Sequence, residues 1–246
     1  MMELWGITDC GKKREDNQDV FKILKDDENN VAVLVVCDGI GGANAGRTAS
    51  SLAADVFVKQ ISSFLVSSSD PAQIIDEMKR AVYEANKAVY TKSKQSNDYF
   101  GMGTTLTALV STNDGEVIIN IGDSRAYHIT DSSITQITKD HTIVEDLIAM
   151  GNLTRYEARH HPKRNLITRA LGTNNVESPD IFLLNLQPDE YILLCSDGLS
   201  DIIIDNEFLQ VIQQKIGLRK SCERFLDMAL ARGAPDNVTA VLFKKG

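Results

Sequence analysis

Two apolar runs in this chain end on the same dipeptide. Residues 31–37 read Val-Ala-Val-Leu-Val-Val-Cys and lead into Asp38-Gly39, and residues 191–196 lead into Asp197-Gly198. Aliphatic, β-branched runs of this length read as strands. Any fold open to the chain must therefore bring two strand ends, each carrying a carboxylate and a glycine, out of a core. A lone Asp-Gly is ordinarily a turn. Here Asp38 also precedes Gly39, Gly41, Gly42 and a helical stretch, and three further acidic motifs lie along the chain: Arg14-Glu-Asp-Asn-Gln-Asp19, Gly122-Asp-Ser-Arg125 and Pro235-Asp-Asn237. Carboxylates and backbone carbonyls are hard oxygen donors, so such a set with few His or Cys favours magnesium or manganese over zinc or copper. Glycine beside the Asp tolerates unusual backbone angles and lets a main-chain oxygen or a phosphate come close.

The chain has 246 residues, 43% of them hydrophobic, enough for a sizeable core in one large domain or two small ones. No linker divides it; the Ser-rich run 62–70 is too short to do so. A net charge of −8, from 34 acidic and 26 basic residues, with no basic run, argues against a nucleic-acid partner. The first residues lack the basic start and apolar core of a signal peptide, and no apolar run reaches membrane-spanning length. The expected location is therefore the cytoplasm, with no membrane partner. Cys10, Cys37, Cys195 and Cys222 show no C-x-x-C spacing. Cys37 and Cys195, at the ends of apolar strands, read as buried small hydrophobes.

Strands are expected at 4–8, 20–24 and 31–37, then a helix at about 44–65, with Asn44 as its cap, and another at 70–94, with Asp70 as cap and Pro71 in the first turn. Residues 104–112, 116–121, 125–130 and 133–137 read as an antiparallel meander. After a helical stretch at 142–150, residues 181–186 and 191–195 read as a hairpin across 187–190. Helices at 205–216 and 220–231 precede a last strand at 238–243. Strand blocks separated by helix pairs indicate sheets covered by helices rather than a doubly wound parallel sheet.

Taken in order, the motifs are Arg14-x-x-Asn17-Gln-Asp19, Asp38-Gly-x-Gly-Gly42, Gly101-x-Gly-Thr-Thr105, Gly122-Asp-Ser-Arg125, Lys139-Asp-His-Thr142, Ile167-Thr-Arg-Ala-Leu-Gly172, Ser196-Asp-Gly-Leu-Ser-Asp201 and Pro235-Asp-Asn-Val-Thr239. From about residue 6 to about 242 the chain closely resembles the PPM family (protein phosphatase type 2C) of metal-dependent Ser/Thr protein phosphatases, particularly the small bacterial ones. The resemblance implies an α+β fold in one domain, 1–246: a four-layer α-β-β-α sandwich, two central antiparallel sheets flanked by helix pairs, with a flap at about 143–165.

It also implies roles. Asp38 resembles the carboxylate that bridges two Mn2+ or Mg2+ ions, with the Gly39 carbonyl beside it. Asp197 and Asp236 match further ligands, and Asp123 matches a ligand of a possible third ion held with Asp197. Asp19 sits where the family supports the cluster through water, and Arg14 matches the phosphate-binding arginine, whose planar fork suits two phosphoryl oxygens. Asn17 and Asn237 read as orienting groups. The implied reaction is direct attack of a metal-bridged water on phosphoserine or phosphothreonine, reversing the work of a cognate Ser/Thr kinase. No C-x-x-x-x-x-R motif is present, and Ser196 lacks a G-x-S-x-G setting, so neither Cys nor Ser reads as a nucleophile.

Two positions depart from the family. Many eukaryotic members read Asp-Gly-His-Gly-Gly and use that His as a general acid, whereas this chain has Ile40. The expected proton source is then a metal-bound water, with His160 or His161 as the alternative. Gln18 stands where eukaryotic members often carry Glu. The stretch from Glu157 to Arg164 is a mixed cationic patch, read either as a solvated loop or as a phosphopeptide-facing surface. The function carries two alternatives, a metal-dependent hydrolase of small phosphoesters and an inactive phosphoprotein-binding module. Nothing in the sequence demands more than a monomer.

Overall fold

A computed structural model describes residues 1–42, 44–65 and 70–246; the side chain of Arg159 and the middle of the Ser-rich run lie outside the described residues. In chain order the elements are β1 (Glu3–Asp9), β2 (Val20–Asp26), β3 (Val31–Cys37), β4 (Gly39–Ile40), α1 (Ala45–Leu65), α2 (Pro71–Ser93), β5 (Gly103–Thr104), β6 (Leu106–Thr112), β7 (Gly115–Ile121), β8 (Arg125–Ile129) and β9 (Ile134–Gln136), followed by α3 (Ile143–Ala149), α4 (Arg155–Arg159), β10 (Asp180–Leu184), β11 (Tyr191–Cys195), α5 (Asp197–Ser200), α6 (Asp205–Gln213), α7 (Leu218–Ala231) and β12 (Val238–Lys244). Asp70 caps α2 by accepting the Ala72 N–H, with Pro71 in the first turn, as the sequence indicates.

Two five-stranded antiparallel sheets form the centre, in the orders β1-β12-β11-β8-β9 and β10-β7-β6-β3-β2. The alternation within β3 explains the stacking. Val33, Val35 and Cys37 face a core shared with α1 and α2, whereas Ala32, Leu34 and Val36 face a core that the two sheets share. β11 does the same on the other side: Leu193 and Cys195 pack under α6 and α7, and Ile192 and Leu194 point between the sheets. An antiparallel strand covered on both faces needs no polar alternation, which is why both runs are unbroken. The layers are helix, sheet, sheet, helix, the expected four-layer sandwich.

Two sequence expectations fail. The proposed meander is divided, because β6 and β7 belong to one sheet while β8 and β9 belong to the other, the chain crossing over at Gly122–Ser124. The proposed hairpin at 181–195 is also absent: β10 pairs with β7 and β11 with β8 and β12. In both cases the local turn signal is consistent with either sheet, so strands adjacent in sequence need not pair. The flap contains α3, capped by Thr142, and α4, opened by a capping box between Thr154 and Glu157. No helix among the described residues is long and apolar enough to cross a membrane.

Candidate active site

Strand register brings the acidic motifs to one end of the sandwich. Val20 lies opposite Cys37, Asp9 opposite Val238, Cys195 opposite both Ala240 and Arg125, and Leu106 opposite Ile121. Residues that enter or leave these strands at that end are Asp19, Asp38, Asp123, Asp197 and Asp236. They become neighbours although they come from the whole length of the chain.

Asp38 is their hub. Burial, and after it the charges of Asp19, Asp197, Asp123 and Asp236, push its carboxyl well above the usual range. Burial and then Asp197 and Asp140 do the same to Asp123; burial followed by Asp201, Asp236 and Asp19 raises Asp197. Each ionised member opposes ionisation of the next, a conflict that added positive charge removes. The Oδ1 atoms of Asp19, Asp123 and Asp197 are buried with no hydrogen-bond partner among the described residues. An unpaired buried carboxylate oxygen is costly, on the order of 1–3 kcal/mol or more. Carboxylate oxygens of this kind are the hard donors that divalent cations such as magnesium and manganese take. Among the described residues no group of three or more Asp, Glu, His or Cys side chains is already arranged to hold one ion.

The backbone around this set is clamped. Thr105 Oγ1 accepts the Asp38 N–H at 2.8 Å and shares a hydrogen bond with Ser124 Oγ at 2.8 Å. The Thr105 N–H and the Thr104 hydroxyl both donate to the Asp38 carbonyl, at 2.9 and 2.8 Å. The motif Gly101-x-Gly-Thr-Thr105 thus holds the turn that carries Asp38, a role the sequence did not reveal. Of the two reasons the sequence offered for glycine in the Asp-Gly pairs, close approach of a main-chain oxygen holds and an unusual backbone angle does not. Gly39 and Gly198 are not among the residues with positive φ. A Cβ would instead lie 2.3 Å from the Gly46 carbonyl oxygen at position 39, and 2.0 Å from that of Asn237 at position 198.

Asp236 Oδ2 accepts from Arg14 Nη2 at 2.7 Å, and its Oδ1 accepts the Asn237 N–H at 2.9 Å. Arg14 is otherwise exposed, and the charges of Asp38 and Asp197 reach it. Asn237 fastens the segment that carries it: its Oδ1 accepts the Gln18 N–H at 2.8 Å, and its Nδ2 donates to the Cys10 and Asp16 carbonyls, each at 2.9 Å. Asn17 likewise accepts the Asp19 N–H at 3.1 Å. Ile40 pairs through its backbone with Gly103.

A cavity of about 1050 Å3 adjoins the cluster, floored by Asp123 and Asp197 and walled by Val144, Ile148 and Tyr156 of the flap. His160 also lines it, with Nδ1 donating to the Tyr156 carbonyl at 3.0 Å, whereas His161 Nδ1 accepts the Lys163 N–H in the following turn. Arg164 is paired with Asp201 at 2.9 Å, which joins the flap to α5. Sequence reasoning missed Asp201 and Asp140, two acids whose charges bear on the cluster. Cys37, Cys195 and Cys222 are buried, which pushes their thiols up.

A family model described as "Protein phosphatase 2C" matches residues 8–242. The serine/threonine phosphatase stp of Listeria welshimeri is 31% identical over 241 residues, 97% of this chain and 94% of that protein. Serine/threonine protein phosphatase PstP of Mycobacterium tuberculosis is 38% identical over 210 residues, 85% of this chain and 40% of that protein. Stp1 from Staphylococcus aureus superposes with a TM-score of 0.91 at 34% identity, covering 100% of this chain and 96% of that one. The catalytic domain of PstP, solved in complex with two manganese ions, superposes with a TM-score of 0.83 at 33% identity, covering 99% and 97%.

Proposed function

Given that this chain belongs to the protein phosphatase 2C family and is a protein serine/threonine phosphatase acting on phosphorylated proteins, we propose that Asp38, the Gly39 carbonyl, Asp197 and Asp236 hold two divalent cations, Mn2+ or Mg2+. Asp123 joins Asp197 at a third position, and Asp19 supports the set from behind. The observation that carries this reading is the convergence of mutually repelling carboxylates, three of them with a buried oxygen unpartnered among the described residues. The two manganese ions of the PstP structure agree with it. When bound, such ions supply Lewis acidity, lowering the pKa of water and neutralising phosphoryl charge.

The chain's own residues do the rest. Arg14 presents its guanidinium beside Asp236, and the fork's remaining N–H groups grip phosphoryl oxygens. Asn237 holds the Arg14 segment in register with Asp236. No protein nucleophile is needed. The Ser196 proton is committed to Asp19, and three of the four thiols are buried. The cavity between cluster and flap is large enough for side chains that flank a phosphoresidue. Of the two histidines weighed as proton donors, His160 lines that cavity. If it has that role, His160→Gln changes the pH dependence of turnover, and if water serves it does not.

The same reading sets this enzyme, as a cytoplasmic monomer, against a cognate Ser/Thr kinase. It is tested by hydrolysis of p-nitrophenyl phosphate and a phosphothreonine peptide with manganese, in parallel with nucleotides. Manganese-dependent turnover of the peptide that vanishes in Asp38→Ala supports it; preferential hydrolysis of nucleotides supports the small-phosphoester alternative instead.

A further inference from the structure

Ser196 occupies the N-cap position of α5, where a serine hydroxyl ordinarily accepts a backbone N–H of the first turn. It makes no such bond. Its hydroxyl instead donates to Asp19 Oδ2 at 2.7 Å and accepts the Thr239 N–H at 3.1 Å. Thr239, in β12, brings a second hydroxyl to the same carboxylate oxygen, also at 2.7 Å. Because that proton is spent on Asp19, the 2.8 Å contact between Thr8 and Thr239 must have Thr8 as donor. Thr8 in turn accepts from Asn17 Nδ2 at 2.9 Å, and the Asn17 Oδ1 accepts the N–H of Asp19 itself. The chain of donors is thus directional and closes on the residue where it ends. Asp19, Ser196 and Thr239 are all buried.

The result is a lopsided carboxylate. Asp19 Oδ2 is saturated by two hydroxyls while its buried Oδ1 has no hydrogen-bond partner among the described residues, and the charge of Asp19 is the largest of those acting on Asp38. We propose that Ser196 and Thr239 are positioning residues that fix the rotation of the Asp19 carboxylate, so that its bare Oδ1 faces Asp38 and the cations, with Thr8 and Asn17 orienting the Thr239 hydroxyl. The inference rests on the metal reading above. It explains why α5 forgoes its cap, and it gives Ser196 a task other than nucleophile.

Mn2+ binding to the full chain, followed by the loss of the free-ion paramagnetic resonance signal on titration, tests this without reference to turnover. Thr239→Val keeps the shape and removes the hydroxyl, whereas Thr239→Ser keeps the hydroxyl. The valine variant should bind Mn2+ up to about tenfold to a hundredfold more weakly, the range for losing a hydrogen-bonding group around a metal site, and the serine variant should bind as the parent does. In an Asp19→Asn background the valine substitution should have no further effect, since the two act through one carboxylate. Should Thr239→Val not fold, Ser196→Ala addresses the same oxygen in the same cycle. If the parent binds Mn2+, Asp38→Asn loses it and Thr239→Val retains it, the proposal is overturned alone. An undiminished effect of Thr239→Val in the Asp19→Asn background also overturns it. A parent that binds no Mn2+ overturns the metal reading and this proposal together.

Discussion

Both ends of the same sandwich bury carboxylates, and they treat them in opposite ways. At the end away from the cavity Glu116, on β7, is buried, yet the Lys245 ammonium, the Ser111 hydroxyl and the Leu186 N–H all donate to it. At the other end Asp19, Asp123 and Asp197 each keep a buried oxygen without a partner among the described residues, and the charge of Asp19 raises Asp197 as that of Asp197 raises Asp123. Where a buried acid serves only the fold, the chain supplies its own cation and donors. Where it is left unmatched, the proposed cations would supply the missing positive charge, with stability conceded to function.

The largest effects break this contrast directly. Asp38→Asn removes the hub of the array, so phosphatase activity should fall to background. The metal-free protein should become more thermostable, since one of the repelling charges is gone. Calorimetric melting in chelator together with a p-nitrophenyl phosphate assay reads both; a less stable variant would mean that the array is not a site of stored repulsion. Lys245→Met should do the reverse. It strands the Glu116 charge in the core, at a cost of about 3–5 kcal/mol, but leaves kcat of the folded fraction unchanged. Denaturant unfolding measures the first and steady-state kinetics the second.

A smaller effect concerns pH. Burial and like charges raise Asp19 to about 6 and Asp197 to about 7. Between the ordinary carboxylate pKa of about 4 and these values, the folded metal-free protein holds more protons than the unfolded chain. Its stability is therefore greatest at the acidic side of that window and is lost as pH rises through 6 to 7. In chelator the Tm should fall from pH 5.5 to pH 8 by at least about 2–4 °C, the shift that 1 kcal/mol gives a chain of this size. Excess Mn2+ should flatten or reverse that slope, and a Tm in chelator that rises with pH would contradict the assigned shifts.

How much of this the sequence disclosed depends on whether the signal was local. The run 31–37 and its following Asp-Gly were legible because one strand, buried on both faces, writes its burial into consecutive residues. The membership of β7 and β8 in different sheets was not, because the turn Gly122–Ser124 reads alike whether or not the chain changes layer. The acidic ligand candidates were visible as motifs. The roles of their supports were not: Thr105, Ser124 and Thr239 stood in the motifs without an assigned task, and only tertiary structure shows that Thr105 meets Asp38, Ser124 meets Thr105 and Thr239 meets Asp19.

The flap gives the smallest effect and the sharpest distinction between recognition and chemistry. Arg164 holds Asp201, beside the acidic floor of the cavity, and Lys163 is exposed in the turn next to it. Exposed ion pairs are worth about 0.2–1 kcal/mol, so replacing Lys163 and Arg164 by Ala should raise KM for a phosphoprotein a few-fold. A small aryl phosphate, which does not reach beyond the cluster, should keep its KM. An equal rise for both substrates would place the effect in the cluster, through Asp201 and its influence on Asp197, rather than in the flap. That outcome would extend the under-neutralised end of the sandwich into α5, and the boundary between the two kinds of buried acid would have to be redrawn around Asp201.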